Sequence, residues 1–128
     1  MGNLVSVDNL SDDDLEALFR RADVFHRSGQ HAPDRLSDRL LAVLFYEPST
    51  RTRLSFESAI LRLGGRVLGF ADAGSSSVSK GETIADTVRM IGGYSDAIVM
   101  RHPSAGATQL AAEYTSVPLV SGGDGSHL

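Results

Sequence analysis

Four short apolar runs, each separated from the next by a stretch of helical periodicity, constrain this chain more than any other feature. The runs lie at 40–46, 66–70, 97–100 and 117–120. The first, Leu40-Leu41-Ala42-Val43-Leu44-Phe45-Tyr46, has no polar residue at alternate positions, which fits a strand buried on both faces. Between the runs, Phe56, Ala59, Ile60 and Leu63 form one helical stripe. Ile84, Val88 and Ile91 form a second, and Ala107, Leu110, Ala111 and Tyr114 a third. Gly64-Gly65 and Gly92-Gly93 stop the first two of these helices. The order β-α-β-α-β-α-β predicts an α/β fold: a three-layer αβα arrangement around a four-stranded parallel sheet. Each crossover is expected to be right-handed. A further helix precedes them. Ser11 is its expected cap, Asp12, Asp13 and Asp14 suit its positive end, and Leu15, Leu18, Phe19, Ala22 and Phe25 give its stripe. Arg20, Arg21 and Arg27 lie late in it, and Gly29 is its expected end.

Length and charge narrow the function classes. The chain has 128 residues, within the usual span of one domain. It has no Cys, which excludes a disulfide scaffold, a cysteine nucleophile and thiolate metal sites. A net charge of −4 argues against a generic nucleic-acid surface. No apolar run approaches the roughly 18 residues of a membrane span, and the N-terminus lacks a signal-type stretch. A cytoplasmic domain is expected. There is no Walker A loop, no G-x-G-x-x-G after the first strand and no G-x-S-x-G elbow. The four His have no metal-ligand spacing, so neither a metal nor a cofactor is expected.

In open parallel sheets, ligands bind beyond the carboxyl ends of the strands. The segment after the first strand is Glu47-Pro48-Ser49-Thr50-Arg51-Thr52-Arg53. Unpaired N–H groups at a helix start, three hydroxyl side chains and a planar guanidinium make an anion site without glycine. From spacing alone this segment reads equally as a capped helix start, with Ser49 as cap and two solvated arginines. Arg53 fits the solvated reading better than Arg51. The second such loop carries Ser75-Ser76-Ser77-Val78-Ser79-Lys80-Gly81-Glu82, which by composition alone is a linker. The third begins at Arg101-His102-Pro103. Arg101 faces the expected crevice, or contacts solvent at a helix start; His102 reads equally as a functional or a structural histidine.

Taken together these segments resemble the aspartate/ornithine carbamoyltransferase family. The matching residues are Phe45-Tyr46-Glu47-Pro48-Ser49-Thr50-Arg51-Thr52-Arg53-Leu54-Ser55-Phe56-Glu57, Lys80-Gly81-Glu82-Thr83 with Asp86-Thr87, Asp96-Ala97-Ile98-Val99-Met100-Arg101-His102-Pro103, and Gly123-Asp124-Gly125. They run in order along essentially the whole chain. Ser77-Val78-Ser79-Lys80-Gly81-Glu82 and the Gly-Asp-Gly element fit the aspartate branch better than the ornithine branch.

The resemblance implies the carbamoyl-phosphate-binding domain of a two-domain enzyme. That enzyme transfers a carbamoyl group from carbamoyl phosphate to L-aspartate, giving N-carbamoyl-L-aspartate and phosphate in pyrimidine biosynthesis. It implies that Ser49, Thr50, Arg51 and Thr52 hold the phosphate, and that Thr52 and Arg101 reach the carbamoyl oxygen. Ser77, taken rather than Ser76, and Lys80 would be lent to a neighbouring subunit of a homotrimer, with regulatory chains as possible further partners. Glu47 would pair with a second domain. The family continues past Gly-Asp-Gly to a His-Pro-x-Gln motif whose His would follow Leu128, so His127 does not match it. The aspartate-binding domain has no counterpart in these residues. The expectation is therefore residues 1–128 of a longer enzyme, inactive alone. The alternatives are a short protein that binds carbamoyl phosphate or anions without transfer, and a piece of an ornithine-type enzyme.

Overall fold

The computed structural model describes residues 2–27, 35–71 and 83–125. Helix α1 spans Asp12–Arg27, β1 Leu40–Phe45, α2 Thr50–Arg62 and β2 Arg66–Phe70. Helix α3 spans Ile84–Gly92, β3 Ala97–His102, α4 Ala107–Tyr114 and β4 Leu119–Asp124. The strands form one sheet in the order β2-β1-β3-β4, and every pair is parallel. The expected α/β architecture is observed.

Alternation along the central strands explains the layers. Ala42 and Leu44 of β1, with Ile98 and Met100 of β3, point to one face and pack with Val88, Ile91 and Ala111 of α3 and α4. Val43, Phe45 and Val99 point to the other face, where Phe56 of α2 covers them. Strands covered on both faces have no room for polar alternation. The chain moves outward from β1 to β2, then crosses back over β1 to β3. Right-handed crossovers require that reversal to move the helices from one face to the other, and α2 does lie opposite α3 and α4.

Three sequence expectations need correction. The fourth strand begins two residues later than 117 and runs on to Asp124, through glycines that by composition look like loop. Its outer edge is covered by the N-terminal segment: Leu4 N–H donates to Leu119 O at 2.8 Å, and Ser121 N–H donates to Leu4 O at 2.8 Å. The third strand likewise includes Arg101 and His102, expected as loop. The apolar stripe of α1 is only partly covered by the described residues: Leu15 and Phe25 are half-buried, no α1 residue is fully buried, and Phe19 is 66 % exposed. Its cap is as expected. Asp14 N–H donates to Ser11 Oγ and Ser11 N–H donates to Asp14 Oδ2, both at 3.0 Å, a reciprocal capping box. The expected stop at Gly29 lies outside the described residues. No helix among the described residues is long and apolar enough to cross a membrane.

Candidate functional site

The strand order reverses direction at β1, so the sheet has its switch point between β1 and β3. Neighbouring connections leave in opposite directions there and open a crevice at the carboxyl ends. Phe45 pairs in register with Arg101, and Tyr46 N–H donates to Arg101 O at 2.8 Å. The start of α2 and the end of β3 are thereby brought to one place from positions about fifty residues apart.

Ser49 precedes α2 but does not cap it with its side chain, which corrects the expected cap. Its Oγ and the first N–H groups of α2 are therefore left to other acceptors or donors at the crevice. Arg51 is exposed, and its guanidinium has no partner among the described residues. Arg53 turns along the helix instead. Its Nη1 donates to Glu57 Oε2 at 2.8 Å, so its charge is answered one turn on. This separates the two arginines that spacing alone left nearly alike. Thr50 is exposed and Thr52 half-buried on the same first turn.

Arg101 is held at both ends of its fork. Its Nε donates to Glu47 Oε1 at 2.9 Å and its Nη1 to Gly122 O at 3.0 Å. The Arg101 and Glu47 side chains are 25 % and 30 % exposed, so water still reaches the pair. The Glu47–Arg101 pair joins residues 54 apart in sequence, and spacing offered no sign of it. Beside it, the His102 ring packs on Tyr46 at a tilt of 48° with centroids 4.7 Å apart, and Tyr46 meets Phe70 edge-on at 5.1 Å. His102 Nδ1 accepts from Ser104 N–H at 3.0 Å. Burial pushes the His102 imidazole below its ordinary value, against an opposing pull from the Glu47 and Asp124 carboxylates. An accepting Nδ1 and a lowered pKa both favour the neutral imidazole.

Ser77 and Lys80 lie outside the described residues, as does His127. No group of three or more His, Asp or Glu side chains suited to a metal ion occurs among the described residues. A cavity of about 330 Å³ lies beside β2, lined by Arg53, Glu57, Gly69 and Phe70. It sits away from the β1–β3 crevice and involves the arginine whose charge is already answered.

Fold and crevice together define a doubly wound α/β domain with a polar site, carrying two arginines, at its switch point. Residues 2–128 match the family model for the aspartate/ornithine carbamoyltransferase carbamoyl-P binding domain, and the chain belongs to that family. It is 49 % identical over 125 residues to the aspartate carbamoyltransferase catalytic subunit of Chromobacterium violaceum, with 98 % of this chain and 41 % of the relative covered. The subunit of the same name from Clostridium novyi is 50 % identical over 125 residues, with the same coverage. Among solved structures, the catalytic subunit of M. jannaschii aspartate transcarbamoylase superposes with a TM-score of 0.90 at 46 % identity, covering 98 % of this chain and 42 % of that one. The Trypanosoma cruzi enzyme in complex with carbamoyl phosphate and aspartate gives 0.88 at 37 % identity, covering 97 % and 41 %. The chain thus spans about two fifths of the length of the relatives it matches.

Proposed function

We propose that this chain is the carbamoyl-phosphate-binding part of an aspartate carbamoyltransferase, cytoplasmic and working as a homotrimer. The observation that carries the reading is the convergence of the α2 start and Arg101 at the β1–β3 switch point. Ser49, Thr50, Arg51 and Thr52 take the phosphate, using the N–H groups of the first turn and the Arg51 guanidinium, which has no partner among the described residues. Arg101, with Thr52, takes the carbamoyl oxygen. Ser77 and Lys80 serve a neighbouring subunit's site.

The aspartate amine attacks the carbamoyl carbon, the bond from that carbon to the phosphate oxygen breaks, inorganic phosphate departs and the amine gives up a proton. Charge grows on the carbonyl oxygen and on the leaving phosphate. Fixed cations and donors facing both oxygens lower that barrier, and holding both substrates together supplies the proximity contribution. Glu47 holds Arg101 in this chain; its pairing with a second domain requires that contact to open as the substrate arrives.

Calorimetric titration of the chain with carbamoyl phosphate tests the reading. Arg51→Ala is expected to weaken binding by about tenfold or more, the worth of a charge-assisted contact. Arg53→Ala, which removes the same charge from a residue answered by Glu57, should leave it nearly unchanged. Equal losses in both variants, or no binding by the wild-type chain, would overturn the assignment.

A further inference from the structure

The end of β4 departs from regular pairing at the point where it meets Arg101. Met100 pairs with Ser121 and His102 with Asp124, so two steps on β3 face three on β4. That is a β-bulge at Gly122-Gly123, a feature uncommon between parallel strands and one that re-aims neighbouring groups. Gly122 O turns to accept from Arg101 Nη1. Gly123 has φ +123°, and a Cβ there would come within 3.2 Å of Arg101 Nη1. The guanidinium therefore rests on bare backbone, on a seat that only a glycine at that conformation provides.

A bulge of two glycines does not hold its own shape. Its anchor is the next residue, Asp124, which is 3 % exposed. Asp124 Oδ2 accepts from Gly106 N–H at 2.9 Å, from Thr108 N–H at 3.4 Å and from Thr108 Oγ1 at 3.0 Å. Helix α4 has no cap from its own N-cap residue, Gly106; the carboxylate of β4 supplies that cap from 16 to 18 residues away. On the other side of Asp124, Gly125 N–H donates to His102 O at 2.9 Å. The strand end is thus pinned to α4 and to β3 immediately after the bulge.

We propose that Asp124 is a positioning residue for Arg101: by clamping the end of β4 to the start of α4, it fixes the glycine bulge on which the Arg101 guanidinium is oriented for the substrate. This rests on the reading of Arg101 as a substrate ligand. The clamp itself is independent of any ligand, so the two can fail separately.

The Arg101 Nε–H resonance in the 15N-labelled chain reports the seat directly, with Arg101→Lys identifying the signal. In wild type it is expected to be distinct, because both ends of the fork are bonded. In Asp124→Ala it is expected to move to the position of the exposed arginines, and in Asp124→Asn, whose amide oxygen still accepts, to stay close to wild type. A folded Asp124→Ala chain with an unmoved Arg101 signal overturns the proposal. If that variant does not fold, Thr108→Val, which removes one of the three bonds, should shift the signal part of the way, and an unmoved signal there overturns it equally.

Titration with carbamoyl phosphate, which carries the oxygen assigned to Arg101, at a temperature where all variants are folded is the second readout. Loss of a carboxylate near an anion site should by charge alone tighten binding. The clamp predicts the opposite sign: Asp124→Ala weakens carbamoyl phosphate binding about three- to tenfold, the worth of one net hydrogen bond, with no further loss in an Arg101→Ala background. Tighter binding in Asp124→Ala counts against the clamp. A moved Arg101 signal with unchanged carbamoyl phosphate affinity leaves the clamp standing and removes Arg101 from the substrate's ligands.

Discussion

Glu47 competes with any bound anion for Arg101, and removing its charge while keeping its shape should show by how much. In Glu47→Gln the amide oxygen can still accept from Arg101 Nε, so the 2.9 Å geometry survives. What changes is the kind of bond. A hydrogen bond between charged groups contributes about 1.5–3 kcal/mol and a neutral one about 0.5–1.5 kcal/mol. The difference is about 1 kcal/mol after discounting for the water that reaches both side chains, which are 25 % and 30 % exposed. Carbamoyl phosphate binding to the chain should therefore tighten about three- to tenfold. Isothermal calorimetry with carbamoyl phosphate at low ionic strength, with its phosphate group doubly ionised, is the assay. Glu57→Gln is the control, because it neutralises the partner of Arg53 in a pair of similar length outside the crevice. An equal gain in the control would mean that net charge alone is at work. No gain, or a loss, in Glu47→Gln would refute the idea that Glu47 restrains Arg101 from a ligand.

Other consequences follow from single positions. Thr87 is 1 % exposed and its Oγ1 has no hydrogen-bond partner among the described residues; Thr87→Val should therefore stabilise the chain by about 1 kcal/mol, read as a raised urea midpoint, and a lowered midpoint would contradict this. Gly69 has φ +139°, and a Cβ there would overlap the Val43 carbonyl oxygen, so Gly69→Ala should cost at least about 2 kcal/mol; a midpoint within error of wild type would show that β2 can shift freely. His102 has a folded pKa below its unfolded value of 6.5, so the unfolded chain takes up the proton more readily and stability must rise with pH. The contribution is complete above 6.5 and is lost as pH falls through that value toward the folded one. His102→Gln should flatten this part of the curve as pH falls below 6.5, and identical slopes in thermal melts would argue against a buried neutral imidazole.

Local periodicity carried the architecture. An unbroken apolar run such as 40–46 cannot satisfy itself except between two layers, and three helical stripes, two of them stopped by glycines, between four such runs leave little besides a parallel sheet with helices on both faces. The family's motif order, with Ser49-Thr50-Arg51-Thr52-Arg53 directly after the first run, could likewise be read along the chain. Residue order did not reveal partners across the sheet. That Arg53 answers Glu57 is the exception, an i,i+4 contact within α2 that spacing alone permits. The length of β4 depended on pairing: Ser121 to Asp124 look like loop by composition and become strand because β3 on one side and Leu4 on the other take their hydrogen bonds. Glu47 with Arg101, and Asp124 with Gly106 and Thr108, are contacts between residues far apart in sequence. Local propensity reaches only a few residues along the chain, whereas the sheet sets strand ends side by side whatever their separation. The sequence alone therefore determined which layers form and which side chains reach the carboxyl edge; only the tertiary structure decided which of those side chains hold one another.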